Sequence, residues 1–166
     1  QFVSNGSLNK IIEGEGNFRE KGEYDLVIVD EAHNFRGATA GRYDDLQLIC
    51  KTPRINEGLV KGHHKKVMLL SATPLNNRPT DLLNLLLLFQ NARYSTIEGI
   101  QNLPVTFSPW IEEYDKLMRE RKLDKHNERN AEFAKRTDDL YEKIRTQVID
   151  KVTVRRTRNN IKNVPA

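Results

Sequence analysis

Two short apolar runs, each followed at once by polar residues, stand out in the first half of the chain. Residues 26–29 (LVIV) are rich in β-branched side chains and have the pattern of a strand buried in a parallel sheet. Residues 67–70 (VMLL) form a second such run about forty residues downstream, with helical sequence in between. This spacing predicts two strands of one parallel sheet that are joined by a right-handed crossover.

The sequence that follows the second run predicts a helix. Pro79 suits the first turn of a helix, and Thr80 and Asp81 favour a helix N-terminus. The leucine-rich segment LLNLLLLF of residues 82–89 is much shorter than a membrane span, so we interpret it as a buried helix.

A connector and another helix start are predicted further along. Residues 91–107 are mixed in character and contain Gly99 and Pro104, which is typical of a connector. Ser108 and Pro109 then suit the N-cap and the first position of a helix.

The remaining pattern predicts a pair of helices. Apolar residues recur at helical spacing in residues 110–118 and again in residues 133–152, and a polar stretch separates the two. A single helix across both would be about 60 Å long at 1.5 Å per residue, which is long for so small a core. We therefore expect two helices that pack together, with a polar tip near residues 124–130.

Two acids follow the first strand, Asp30 and Glu31, within the segment VIVDEAH of residues 27–33. In open α/β sheets ligands bind outside the carboxyl ends of the strands, so these carboxylates stand where a nucleotide would bind. One carboxylate can hold magnesium, and the other can orient or deprotonate a water that attacks a γ-phosphate. An acidic turn that only solvates the strand end is the alternative, and these residues alone favour neither.

Three segments, in this order, resemble the Swi/Snf-like branch of the superfamily-two helicases and translocases. VIVDEAH resembles motif II, and LLSATPLNNRPTDL of residues 69–82 resembles motif III with its leucine-rich helix. VRRTRNNI of residues 154–161 is similar to the segment that closes the first motor lobe, with Asn160 where an aspartate is usual. The three matches together cover roughly residues 24–90 and 152–165.

The resemblance implies an α/β fold, a partial RecA-like parallel sheet flanked by helices, with a C-terminal helical protrusion. Residues 1–107 would then be the latter part of the first motor lobe, with the DEAH and SATP motifs. Residues 108–150 would be the helical protrusion, and residues 151–166 would be a basic segment that closes the lobe.

The resemblance also implies catalytic and coupling roles. Asp30 would be a magnesium ligand, directly or through water, and Glu31 would be the catalytic base or the group that orients water. His33 would couple the nucleotide site to nucleic acid through polar contacts with motif III, at Ser71 or Thr73.

Four further residues are implied to contact nucleic acid or the second lobe. Asn76 and Asn77 lie in the motif III loop, which faces the cleft where either partner would bind. Arg155 and Arg156 belong to the last sixteen residues, which carry five basic side chains and no acid. These arginines can follow a phosphate backbone, or they can bond to protein carboxylates and only position the lobe.

The phosphate-binding pattern G-x-x-x-x-G-K-[ST] does not occur in the sequence. In this family that P-loop lies upstream of DEAH, and arginine-bearing motifs lie in a second lobe downstream. We therefore interpret the chain as a fragment of a larger motor, whose P-loop region and second RecA-like lobe belong to the same polypeptide. Hydrolysis needs phosphate positioning as well as a base, so we expect the fragment alone to be inactive.

The predicted function is that of an ATP-hydrolysing motor, with ATP and magnesium as cofactors, that moves along nucleic acid. Double-stranded DNA is the usual track of this family. The alternative is a catalytically inactive lobe that only binds nucleic acid or protein. A DEAH helicase that acts on RNA is disfavoured by the RRTR segment and the TPLNN loop.

Composition agrees with this interpretation. The net charge is only +4, and no apolar run approaches the ~20 residues of a membrane span, so we expect no membrane partner. Cys50 is the only cysteine, which excludes an internal disulfide and indicates a buried or semi-buried thiol in a reducing compartment. We expect a cytoplasmic protein, associated with the nucleoid in a bacterium or located in the nucleus of a eukaryote.

Overall fold

The computed structural model describes residues 1–37, 41–55, 64–71, 78–124 and 126–154, which form a mixed α/β structure. The strands are β1 (Leu26–Val29) and β2 (Lys66–Leu69). The helices are α1 (Leu8–Glu13), α2 (Arg42–Lys51), α3 (Pro79–Leu87), α4 (Leu103–Leu123), α5 (Asn130–Ile144) and α6 (Asp150–Val152). A π-helical segment, Arg145–Ile149, joins α5 to α6, and 3-10 turns occur at Asn5–Ser7, Lys21–Glu23 and Ala32–Phe35.

The strands β1 and β2 form a two-stranded parallel sheet, in which Leu26 pairs with Lys66 and Val29 with Leu69. The predicted parallel pairing is confirmed, and β2 begins one residue earlier than the apolar run. One face of the sheet packs into a core with α1 and α2, in which Val29 is buried. The mixed α/β class is therefore confirmed, while the RecA-like topology of the sheet stays a prediction.

The predicted pair of helices in the second half is confirmed as α4 and α5. At the polar tip between them, the Asp124 carboxylate accepts the backbone N–H groups of Glu128 at 3.3 Å and Arg129 at 2.9 Å. Nearby, the Arg136 guanidinium donates to the Glu120 carboxylate at 2.7 Å and ties the two helices together. That this hairpin is a lobe protrusion stays a prediction.

The predicted helix start at Ser108 is wrong, because α4 begins at Leu103. Asn102 is the N-cap, and its side-chain oxygen accepts the backbone N–H of Val105 at 3.1 Å. Pro109 consequently lies inside the helix, where a proline usually costs about 3 kcal/mol. The complete burial of Leu103 favours the earlier start and offsets part of that cost.

Two hydrophobic cores meet at α3. Leu83 and Leu86 pack into a core formed with α4, α5 and the π-helical segment. Leu85 and Leu88 pack into the core beneath the sheet, with α1 and α2. The helix begins at Pro79 and is buried, as the sequence predicts, because its leucines contact protein on more than one side.

Two expectations from composition can be compared with the structure. None of the helices in the described ranges is long and apolar enough to cross a membrane. Cys50 is buried, as predicted, and burial raises the pKa of its thiol to about 12. The thiol therefore stays protonated and poorly nucleophilic near neutral pH.

The start of α4 can be tested with two substitutions. We expect Asn102→Ala to lower the free energy of unfolding by about 1 kcal/mol, because it removes the N-cap. Ser108→Ala removes only an exposed bond to Glu112 and should change it by less than about 0.5 kcal/mol. Urea unfolding followed by circular dichroism measures both, and a larger loss for Ser108→Ala would contradict the observed start.

Candidate active site

The DEAH turn (residues 30–33) and the residues Leu70 and Ser71 lie side by side at the carboxyl ends of β1 and β2. The backbone N–H of Leu70 donates to the carbonyl of Val29 at 2.9 Å. The N–H of Ala32 donates in turn to the carbonyl of Leu70, also at 2.9 Å. These bonds extend beyond the paired strands and fix the DEAH turn against the residue that precedes Ser71.

Glu31 has a left-handed backbone conformation, with φ 49° and ψ 45°, which is uncommon for a residue other than glycine. Glu31 directly precedes the 3-10 turn Ala32–Phe35, so this conformation lies between the end of β1 and that turn. Such a conformation costs about 1–3 kcal/mol and persists only where the surroundings fix it. Here Val29 before the turn and Ala32 and Phe35 within it are all buried.

The carboxylate of Asp30 is exposed, and its Oδ1 accepts the backbone N–H of Glu31 at 2.9 Å. Within the described ranges, no group of three or more His, Cys, Asp or Glu side chains could hold a metal without a ligand's help. Magnesium bound together with a nucleotide does not require such a group, because phosphate oxygens and waters complete its coordination. A single accessible carboxylate therefore fits a magnesium ion that arrives with ATP.

The carboxylate of Glu31 contacts the imidazole of His33, with 2.8 Å between Oε2 and Nδ1. The Oγ of Ser71 is buried and has no hydrogen-bond partner among the described residues, so the predicted contact of His33 with Ser71 is not formed here. The two loops are instead linked through the backbone, by the bond from Ala32 to Leu70. The role of His33 and Ser71 in coupling stays a prediction.

Five of the residues named from the sequence fall outside the part of the chain that the structure describes. They are Thr73, Asn76, Asn77, Arg155 and Arg156. Their implied contacts with motif III, nucleic acid or the second lobe stay predictions.

Asn84 of α3 makes a contact with the DEAH segment that the sequence reasoning missed. Its Nδ2 donates to the backbone carbonyl of Arg36 at 2.7 Å, shortly after the DEAH turn. Its own backbone carbonyl accepts the hydroxyl of Tyr43 at 2.7 Å, and burial raises the pKa of that hydroxyl, which keeps it a donor. The available signal was one amide side chain within a run of leucines.

A cleft of about 590 Å³ runs along β1 beside the DEAH turn. It is lined by the whole of β1, by the N-terminal residues 1–3 and by further apolar side chains, including the buried Phe35 and the exposed Leu70. Asp30 is the single charged side chain among the described lining residues. The cleft therefore suits an apolar segment of polypeptide better than a triphosphate.

The chain matches no model of a known protein family, no curated protein and no solved structure. The resemblance to the Swi/Snf-like motors consequently rests on the sequence motifs alone.

The strain at Glu31 gives a test that does not depend on function. We expect Glu31→Gly to raise the free energy of unfolding by about 0.5–1 kcal/mol, because glycine adopts the left-handed conformation without strain. Asn34→Gly, in the same 3-10 turn but with negative φ, should lower it by about 0.5–1 kcal/mol. Urea unfolding measures both free energies. An equal decrease in the free energy of unfolding for the two variants would show that the backbone of Glu31 is not strained.

Proposed function

We propose that the chain forms part of the first motor lobe of an ATP-dependent translocase of Swi/Snf-like type that moves along double-stranded DNA. The observation that supports this most is the position of the acidic turn and of Ser71 at adjacent carboxyl ends of two parallel strands. Ligands of open α/β sheets bind at such strand ends. The backbone bond from Ala32 to Leu70 also gives the two motif-bearing loops a direct physical connection.

In this proposal the two acids have different tasks. Asp30 would hold the magnesium ion of MgATP, because its carboxylate is exposed at the end of β1. Glu31 orients or deprotonates the water that attacks the γ-phosphate. The bound magnesium supplies neutralisation of the phosphate charge. Both carboxylates are exposed at the strand ends and are accessible to a nucleotide.

We further propose that a region of the same polypeptide carrying the P-loop covers the outer face of the sheet. Leu26, Ile28 and Met68 are 48%, 56% and 50% exposed on that face, although parallel sheets are normally covered on both sides. An isolated pair of strands is also only marginally stable in water. The second RecA-like lobe would approach the strand ends, where Asp30 and Ser71 lie.

The base assignment can be tested in the polypeptide that includes the P-loop region and the second lobe. Glu31→Gln should bind ATP normally and reduce kcat about 10²- to 10⁴-fold, because the amide cannot accept a proton from water. Glu98→Gln, an exposed acid outside the site, is the matched control and should leave kcat unchanged.

The same assay compares duplex DNA, single-stranded DNA and RNA as stimulants of the wild-type ATPase. We expect the largest stimulation with duplex DNA. Absence of ATPase activity with all three nucleic acids would favour the alternative, a catalytically inactive lobe that only binds nucleic acid or protein.

For the base assignment, near-normal turnover by Glu31→Gln would exclude Glu31 as the base.

The proposal that the P-loop region covers the outer face of the sheet can be tested by measuring the free energy of unfolding in two polypeptides, this chain alone and the longer one. In this chain alone, Ile28→Thr should change the free energy of unfolding by less than about 0.5 kcal/mol, because the side chain is exposed. In the longer polypeptide the same substitution should cost about 1–3 kcal/mol. Val29→Ala, on the buried face, should cost about 2 kcal/mol in both. Equal small effects of Ile28→Thr in both contexts would contradict the proposal.

A further inference from the structure

The side chain of Glu31 is held by a contact with His33, and the backbone of Glu31 is fixed by its own surroundings. The backbone of Glu31 is left-handed, and its Oε2 lies 2.8 Å from Nδ1 of His33. A carboxylate accepts hydrogen bonds and cannot donate them, so Nδ1 is the donor. The contact therefore occupies one specific nitrogen of the imidazole and leaves Nε2 for other partners.

The imidazole is attached to a rigid part of the turn. Ala32 directly precedes it, is completely buried and donates its N–H to the carbonyl of Leu70. Phe35, two residues after His33, is 4% exposed. His33 can therefore hold the Glu31 carboxylate in one place, although both side chains are partly open to solvent at 38% and 58% exposure.

We propose that His33 is a positioning residue, which holds the Glu31 carboxylate through Nδ1–H in the orientation needed to act on the attacking water. This inference rests on the proposed ATPase function. A free glutamate side chain samples many rotamers, and immobilising one costs conformational entropy. A hydrogen bond formed before the nucleotide arrives removes part of that cost, and misplacement of a catalytic group by about 1 Å can cost 10²-fold in rate.

The proposal differs from the coupling role that the sequence suggests for His33. Coupling to Ser71 or Thr73 would have to use Nε2, because Nδ1 is engaged by Glu31. Two substitutions separate these roles, since the amide nitrogen of asparagine reaches about as far as Nδ1, and that of glutamine about as far as Nε2. His33→Ala removes both.

The kinetic test uses the polypeptide with the P-loop region and second lobe, with saturating duplex DNA. We expect His33→Ala to lower kcat about 10- to 100-fold with little change in the KM for ATP, because water positioning and not nucleotide binding is lost. His33→Asn should restore most of kcat, and His33→Gln should not. Rescue by glutamine but not asparagine, or rescue by neither, would overturn the proposal.

A second measurement reports the contact itself in the 166-residue chain. Nitrogen-15 NMR of the His33 ring should show a protonated Nδ1 whose shift changes in Glu31→Ala and not in Glu98→Ala, an exposed position outside the site. If the wild-type polypeptide hydrolyses ATP but the Nδ1 shift is the same in Glu31→Ala as in wild type, the positioning role is overturned and the proposed function is not. A wild type without ATPase activity would overturn the proposed function, and with it the positioning role, even where the NMR contact is present.

Discussion

The burial of α3 on two sides is the constraint on which the rest of the structure depends. Leu83 and Leu86 belong to the helical core, and Leu85 and Leu88 belong to the core beneath the sheet. Fully burying one leucine contributes about 1.5–3 kcal/mol to the stability of the folded state. Both cores would therefore lose stability if α3 did not pack between them.

The surroundings of Glu31 explain why a strained backbone is tolerated there, and α3 contributes one of the contacts. Glu31 keeps its left-handed backbone because the chain on both sides of it is held. Before it, β1 pairs with β2, and after it the N–H of Ala32 is bonded to Leu70. Further on, Asn84 of α3 holds the carbonyl of Arg36. Backbone strain of this kind is found at functional sites, where a few kcal/mol from packing elsewhere maintain it.

The sequence predicted those features whose signals are local. The parallel strands, the start of α3 at Pro79 and the polar tip after α4 follow from apolar periodicity and turn residues. The predicted start of α4 was wrong because the sequence holds two signals for a helix N-terminus, Asn102 with Pro104 and Ser108 with Pro109. The burial of Leu103 favours the first of them. The contact of Asn84 with Arg36 joins residues 48 positions apart, which no local pattern specifies.

In the proposed motor, the backbone hydrogen bond from Ala32 to Leu70 would connect the nucleotide site to Ser71 without a side chain in between. In the proposed motor, a displacement of the DEAH turn would also act on Leu70, because Ala32 donates to its carbonyl, and Ser71 is the next residue. Hydrogen-bonded main chain transmits such a displacement without a side-chain intermediary. His33 is then not required as the connection to motif III, and its Nδ1 can be committed to Glu31. In the proposed motor the turn would therefore separate two tasks, since the main chain would carry the coupling and the His33 side chain would orient the base.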